Sequence, residues 1–170
     1  MSTIDRIAIR RVAVERATVV SKQPFEAVLA KLAAAVGHPD MPAFARDIAA
    51  ARTLADLQQI VETATGPAGL MQMAHFDIGE VLRKDLGSRG PKSVRLVIGN
   101  PLIMKEMVTH VPDAASYAPV TVLIDERSDG VSLSYDLMAS LLAPYGNEQA
   151  SAVARQLDEK VLGLLTAAAE

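Results

Sequence analysis

Apolar positions change period several times along the chain, and each change marks an element. From 7 to 21 Val, Ile and Thr dominate, which suits a strand. Ile7 and Ile9 alternate in one phase and Val12 and Val14 in the other, so a bulge or frayed start is expected at Arg10-Arg11. Pro24 then opens a helix, with Phe25, Val28, Leu29, Leu32 and Val36 at helical spacing and Gly37 ending it. After the loop His38-Pro39-Asp40-Met41-Pro42, two short helices are expected over about 42–51 and 54–64. Thr53 with Asp56 three residues on is a capping-box signature, and Leu54, Leu57, Ile60, Val61 and Ala64 form the stripe that follows.

Gly66-Pro67-Ala68-Gly69 closes this helical stretch, and Leu70 to Phe76 reads as a strand. Leu70, Gln72, Ala74 and Phe76 would form one of its faces, and Met71, Met73 and His75 the other. Burying the Gln72 amide unpaired is costly, so Met71 and Met73 are expected to point into the core, with His75 at the rim. Asp77 can cap the next helix with Glu80 reaching back; Ile78, Val81, Leu82 and Leu86 are its apolar stripe. Val94 to Ile98 is a strand, and Gly99-Asn100-Pro101 turns it into a helix that buries Met104, Met107, Val108 and Val111. Val120, Val122 and Ile124 alternate up to a hairpin turn at Ser128-Asp129-Gly130, and Val131, Leu133 and Tyr135 alternate back. A short helix over about 137–143 and a long one over about 148–168 end the chain. The long helix carries the stripe Ala150, Val153, Ala154, Leu157, Val161, Leu164, Leu165 and Ala168. About five strands and six or seven helices, with a tight hairpin among the strands, predict an α+β fold in two layers, with helices packed on one face of a mixed sheet.

Composition narrows the class. At 170 residues, with 50% apolar and 22% charged residues, the chain reads as one globular, soluble domain. It has no cysteine, which excludes disulfide frameworks, thiolate metal sites and cysteine nucleophiles. A formal charge of −3 and only six aromatics (three Tyr, three Phe) argue against nucleic acid as a partner. Charges recur every few residues near Met1, and no stretch approaches the length of a spanning helix. The expectation is a cytoplasmic protein with no membrane partner.

Candidate chemistry is sparse. At Gly99-Asn100-Pro101 a helix N-terminus could receive a carboxylate or phosphate, or Asn100 could itself fill the cap. Met71, Met73 and His75 sharing a face would offer soft ligands to Cu(I) or haem iron; the alternative is core-filling thioethers beside a rim imidazole. Tyr135 with Asp136 could serve acid–base work, or the ring could enter the core. Asp125, Glu126 and Asp129 read as a solvated turn, since Arg127 stands where a calcium ligand would be needed.

Three segments carry a resemblance. Asp77-Ile78-Gly79 opens a helix, Ile98-Gly99-Asn100-Pro101 lies at a strand-to-helix turn, and Ala118-Pro119-Val120 leads into a hairpin ending Ser134-Tyr135-Asp136. Their order resembles the domain of unknown function family 302 over about 70–146, with 38–66 as a helical insertion and 148–168 as a C-terminal extension. The chain departs from it at Ile78, where the family often has His, and at Ala118, where it usually has Leu. The resemblance implies a small dimeric α+β domain of unestablished role, and it supplies no catalytic residues.

The leading expectation is a binding or interaction module that works as a homodimer and takes a small apolar or anionic ligand without a cofactor. Gly99, Asn100, Tyr135, His75 and Asp77 are its candidate ligand-binding residues. Two rivals remain: a haem or soft-metal binder using His75 with Met71 or Met73, and an enzyme using Tyr135, Asp136 and the Gly99-Asn100-Pro101 turn. The terminal helix, with its long apolar stripe, and the basic N-terminal strand, as a sheet edge, are the expected dimer surfaces.

Overall fold

The computed structural model describes residues 7–86 and 90–170. The strands are β1 (Arg16–Ser21), β2 (Met71–Asp77), β3 (Ser93–Gly99), β4 (Val120–Arg127) and β5 (Gly130–Asp136). The helices are α1 (Phe25–Ala35), α2 (Met41–Ala50), α3 (Leu54–Ala64), α4 (Ile78–Leu86), α5 (Pro101–His110), α6 (Met138–Leu142) and α7 (Glu148–Ala169). The sheet order is β1-β5-β4-β3-β2, and every neighbouring pair is antiparallel. The α+β class holds, but the sheet is antiparallel where a mixed one was expected. No helix carries the chain across the sheet into an adjacent parallel strand. Among the described residues, the one parallel pairing is an isolated bridge between Gly37 and Met71.

Cap chemistry sets the helix starts. The Thr53 hydroxyl accepts from the Asp56 N–H at 3.1 Å, and the Asp56 carboxylate accepts from the Thr53 N–H at 2.9 Å, which closes the capping box. Asp77 Oδ1 accepts from the Glu80 N–H at 2.7 Å at the start of α4. The β4–β5 turn places Arg127 opposite Gly130, whose φ of 140° suits glycine.

One face of the sheet carries the core. Val94, Leu96, Ile98, Val122, Ile124, Val131, Leu133 and Tyr135 pack there against Val28 and Leu32 of α1, Met107 of α5 and the buried side of α7. α7 spends its apolar stripe on the chain's own core, from Ala150 through Leu157 and Val161 to Ala168, so that stripe is not a dimer surface.

Three expectations need correction. The first strand begins at Arg16 rather than near Ile7. Residues 7–15 lie outside the sheet: Arg16 pairs with Asp136, the last residue of β5, and beyond that pair Glu15 is held by the Leu137 N–H on its carbonyl at 2.8 Å and by the Ser140 hydroxyl, which accepts from its own N–H at 3.0 Å. Second, a register shift between Gln72 and Ala74 breaks the alternation of β2. Met71 pairs with Gly99, on the face opposite Ile98, while His75 pairs with Leu96 on the core side. Met71 and His75 therefore do not share a face. Met71 is buried in a separate small cluster with Phe44 and Val61, beside half-buried Met73. Third, α4 does not bury Ile78, Val81, Leu82 and Leu86; all four are exposed. Gly79 is the position pressed inward, and a Cβ there would lie 2.8 Å from the Ser93 backbone nitrogen and 2.9 Å from the Pro91 carbonyl oxygen.

Candidate functional site

α1 packs against α7 and β4, whereas α2 and α3 meet β2 on its other face, where Phe44 and Val61 pack on Met71. The flank of α1 and the core-side face of β2 therefore become the walls of a groove. Two hollows of about 650 and 360 Å³ share Glu26, Leu29 and His75 and together run along it. Leu29, Ala30, Ala33 and Leu96 give the narrower part an apolar lining, with His38, Gln72 and His75 at its margins. The wider part ends in charge: Glu26, Asp77, Arg83, Lys92 and Glu126.

These charges are held by one another. The Lys92 ammonium donates to Glu26, which holds the Glu26 carboxyl below its usual range and raises Lys92. Lys92 also lies 6.0 Å from the centre of the Phe25 ring. Arg83 donates to Asp77 Oδ2 at 3.2 Å. The Asp77 carboxyl is held low chiefly by the Glu80 N–H it caps, and further by Arg83. These groups can orient a polar head and present an apolar wall to its tail. Asp77 and Glu26 are already engaged as acceptors, and His75 stands at the solvent rim.

His75 and Asp77 are the two sequence-derived candidates that meet here. Gly99 ends β3 against Pro119 and Met73. Asn100 fills the α5 cap itself: its Oδ1 accepts from the Leu102 N–H at 2.9 Å and its Nδ2 donates to the Gly69 carbonyl at 3.0 Å. Tyr135 is buried, and its hydroxyl donates to Asp158 Oδ1 at 2.7 Å; burial and that carboxylate push the phenol far up. Asp136 is held instead by Arg16 through Nε at 2.6 Å and Nη2 at 2.9 Å. Tyr135 and Asp136 thus serve different partners on opposite faces of β5.

The sequence reading missed Glu26, Arg83 and Lys92, whose positions near Asp77 depend on how α1 and α4 flank β2 and β3. It also missed Asp158, for which a signal existed: an acidic residue interrupts the apolar stripe of α7 between Leu157 and Val161. Among the described residues, no group of three or more His, Asp or Glu is placed to hold a metal ion, and no helix is long and apolar enough to cross a membrane.

Residues 47–168 match the model of a family described as "Domain of unknown function DUF302". The match starts within α2 and takes in α7. The chain is also similar to a crystal structure described as that of an uncharacterized conserved protein DUF302 from Bacillus stearothermophilus. The two are 10% identical with a TM-score of 0.62, over 90% of this chain and 97% of that one. At that identity the likeness is one of fold. No curated protein matches the chain.

Proposed function

The chain belongs to the DUF302 family, and from that premise we propose that it is a homodimeric binding module whose groove between α1 and β2 takes a small ligand with an apolar body and a polar head. The observation that carries this reading is the continuity of the groove. An apolar stretch at Leu29, Ala30, Ala33 and Leu96 runs directly into a charge-paired end at Glu26, Lys92, Asp77 and Arg83. Concave sites with apolar walls and a few convergent polar groups are the usual form of small-molecule sites.

Charge narrows the ligand further. Glu26, Asp77 and Glu126 face Lys92 and Arg83, so a simple anion meets more carboxylates than cations. A zwitterionic head can address both signs, displacing the exposed Lys92–Glu26 pair at little cost. This replaces the apolar-or-anionic class expected from the sequence.

Native mass spectrometry of the purified full chain would detect a co-purified ligand. Amide NMR shifts with an alkyl betaine and an alkyl carboxylate of equal chain length would then define the head. The betaine should perturb Ala30, Ala33 and His75, the carboxylate should do so more weakly, and Ala33→Trp should abolish both responses. If neither probe shifts those residues and no ligand co-purifies, the reading fails.

A further inference from the structure

Strand register gathers a second set of polar groups on the sheet face opposite the core. Arg95 of β3 pairs with Leu123 of β4, Leu123 with Ser134 of β5, and Ser134 with Thr18 of β1, so these four share one row across that face. Arg16 pairs with Asp136 in the next row, and Thr121 lies two residues from Leu123 on the same side of β4. A hollow of about 420 Å³ opens here, with Arg16, Arg95, Thr121, Leu123, Ser134 and Leu141 in its lining. Among the described residues its one carboxylate is Asp136, which is spent on Arg16 through bonds of 2.6 and 2.9 Å.

The groups that remain are donors with loose partners. Arg95 makes no ion pair among the described residues. Its Nη2 reaches the Thr121 hydroxyl only at 3.4 Å, and its guanidinium lies 5.9 Å from the centre of the Phe76 ring. Ser134 is only 7% exposed, yet among the described residues its hydroxyl meets the Thr18 hydroxyl alone, at 3.4 Å. Hydroxyl hydrogen bonds are usually about 2.5–3.0 Å long. A buried hydroxyl that lines a hollow with so loose a partner keeps bonding capacity for an occupant.

Charge selects that occupant. Arg16 cancels Asp136, and Arg95 leaves the hollow with one uncompensated positive charge. A guanidinium fork matches the planar carboxylate group, and one charge matches its single negative charge. Leu123 and Leu141 give an apolar surface to a short body. We propose that this hollow is a second binding site, for a small organic carboxylate: Arg95 takes the carboxylate in its fork, Thr121 and Ser134 donate to it, and Leu123 and Leu141 carry the body. The site lies on the other side of the sheet from the groove between α1 and β2 and does not depend on the reading of that groove.

The test is an amide NMR titration of the full chain with benzoate, with benzamide as its uncharged counterpart and inorganic phosphate as a second anion. Benzoate should move the amides of Thr121, Leu123 and Ser134, and benzamide should bind at least tenfold more weakly. Arg95→Gln should weaken benzoate at least tenfold with an unchanged circular dichroism spectrum. Arg95→Lys, which keeps the charge and loses the fork, should fall between the two. Ala33→Trp, which blocks the groove, should leave benzoate binding unchanged. No shift at the three amides, an equal response to benzamide, or full binding by Arg95→Gln overturns the site and leaves the groove reading standing. Loss of benzoate binding in Ala33→Trp places benzoate in the groove and also overturns it. Phosphate acting on the same amides at lower concentration than benzoate overturns the carboxylate class.

Discussion

The Tyr135 hydroxyl and the Asp158 carboxylate form a buried 2.7 Å hydrogen bond that ties β5 to α7. The same carboxylate accepts from the Met138 N–H at 2.7 Å and the Ala139 N–H at 3.0 Å, so it also caps α6. One side chain on α7 thereby fixes the end of the sheet and the start of the next helix. All three donors reach a full acceptor in a site that is otherwise apolar.

The two partners should not be equivalent on removal. Tyr135→Phe deletes one donor and leaves the carboxylate with two backbone N–H groups, a loss of about 1.5–3 kcal/mol. Asp158→Leu strands the phenol and both N–H groups without an acceptor, a loss on the order of 3–5 kcal/mol. Urea unfolding midpoints of the two variants measure this. A loss in Asp158→Leu no larger than in Tyr135→Phe would show that the carboxylate does not hold the three donors together.

Gly99→Val should destabilise the protein by about 1–3 kcal/mol through crowding. A Cβ at Gly99 would lie 3.0 Å from the Cβ and 3.4 Å from the Cα of Pro119, and 3.7 Å from Met73 Cε. The backbone at Gly99 is not left-handed, so the constraint is the approach of Pro119 rather than conformational strain. Gly99→Ala should cost less than Gly99→Val. Equal melting temperatures for wild type and the valine variant would show that Pro119 yields without cost.

Acid should loosen α3 and α4 at their N-termini. The Asp56 carboxyl is held below its usual range first by the Arg52 N–H and then by Thr53, and that of Asp77 chiefly by the Glu80 N–H. Both folded pKa values lie below the unfolded value of about 3.9. The stabilisation is therefore present above that value and lost as pH falls through the folded pKa values. Amide NMR of residues 53–57 and 77–81 between pH 6 and 2 should show both turns fraying in this window. Asp56→Asn should remove the pH dependence at α3 alone.

His75→Ala should leave stability within about 0.5 kcal/mol of wild type, because the ring stands exposed at the groove margin. The same change should weaken binding of an alkyl betaine. A large fall in unfolding midpoint would place the imidazole in the core after all, and undiminished betaine binding would remove it from the site.

Local signals made much of the fold legible. Thr53 with Asp56, Asp77 and Asn100 mark helix starts by the side-chain oxygens that receive backbone N–H groups, and those bonds form within three residues. The Arg127-to-Gly130 turn is likewise a short-range event. The Gly99-Asn100-Pro101 motif was conspicuous for the same reason, and its Asn100 proves to be a cap bonded back to Gly69. The groove was only half visible: His75 and Asp77 were singled out, but Glu26 and Lys92 come from segments far apart in sequence and meet only across it.

By itself the sequence determined the elements, their caps and the α+β class, because period, proline, glycine and capping oxygens act over a few residues. Tertiary structure alone decided which face each element shows. The bulge between Gln72 and Ala74 turns His75 away from Met71, and the close approach of Gly79 to Pro91 and Ser93 leaves the α4 stripe outside. Burial on α7 selects Asp158 as the partner of Tyr135. A one-residue shift in pairing costs little locally yet exchanges the two faces of a strand, so orientation is settled by the sum of long-range contacts rather than by any local pattern.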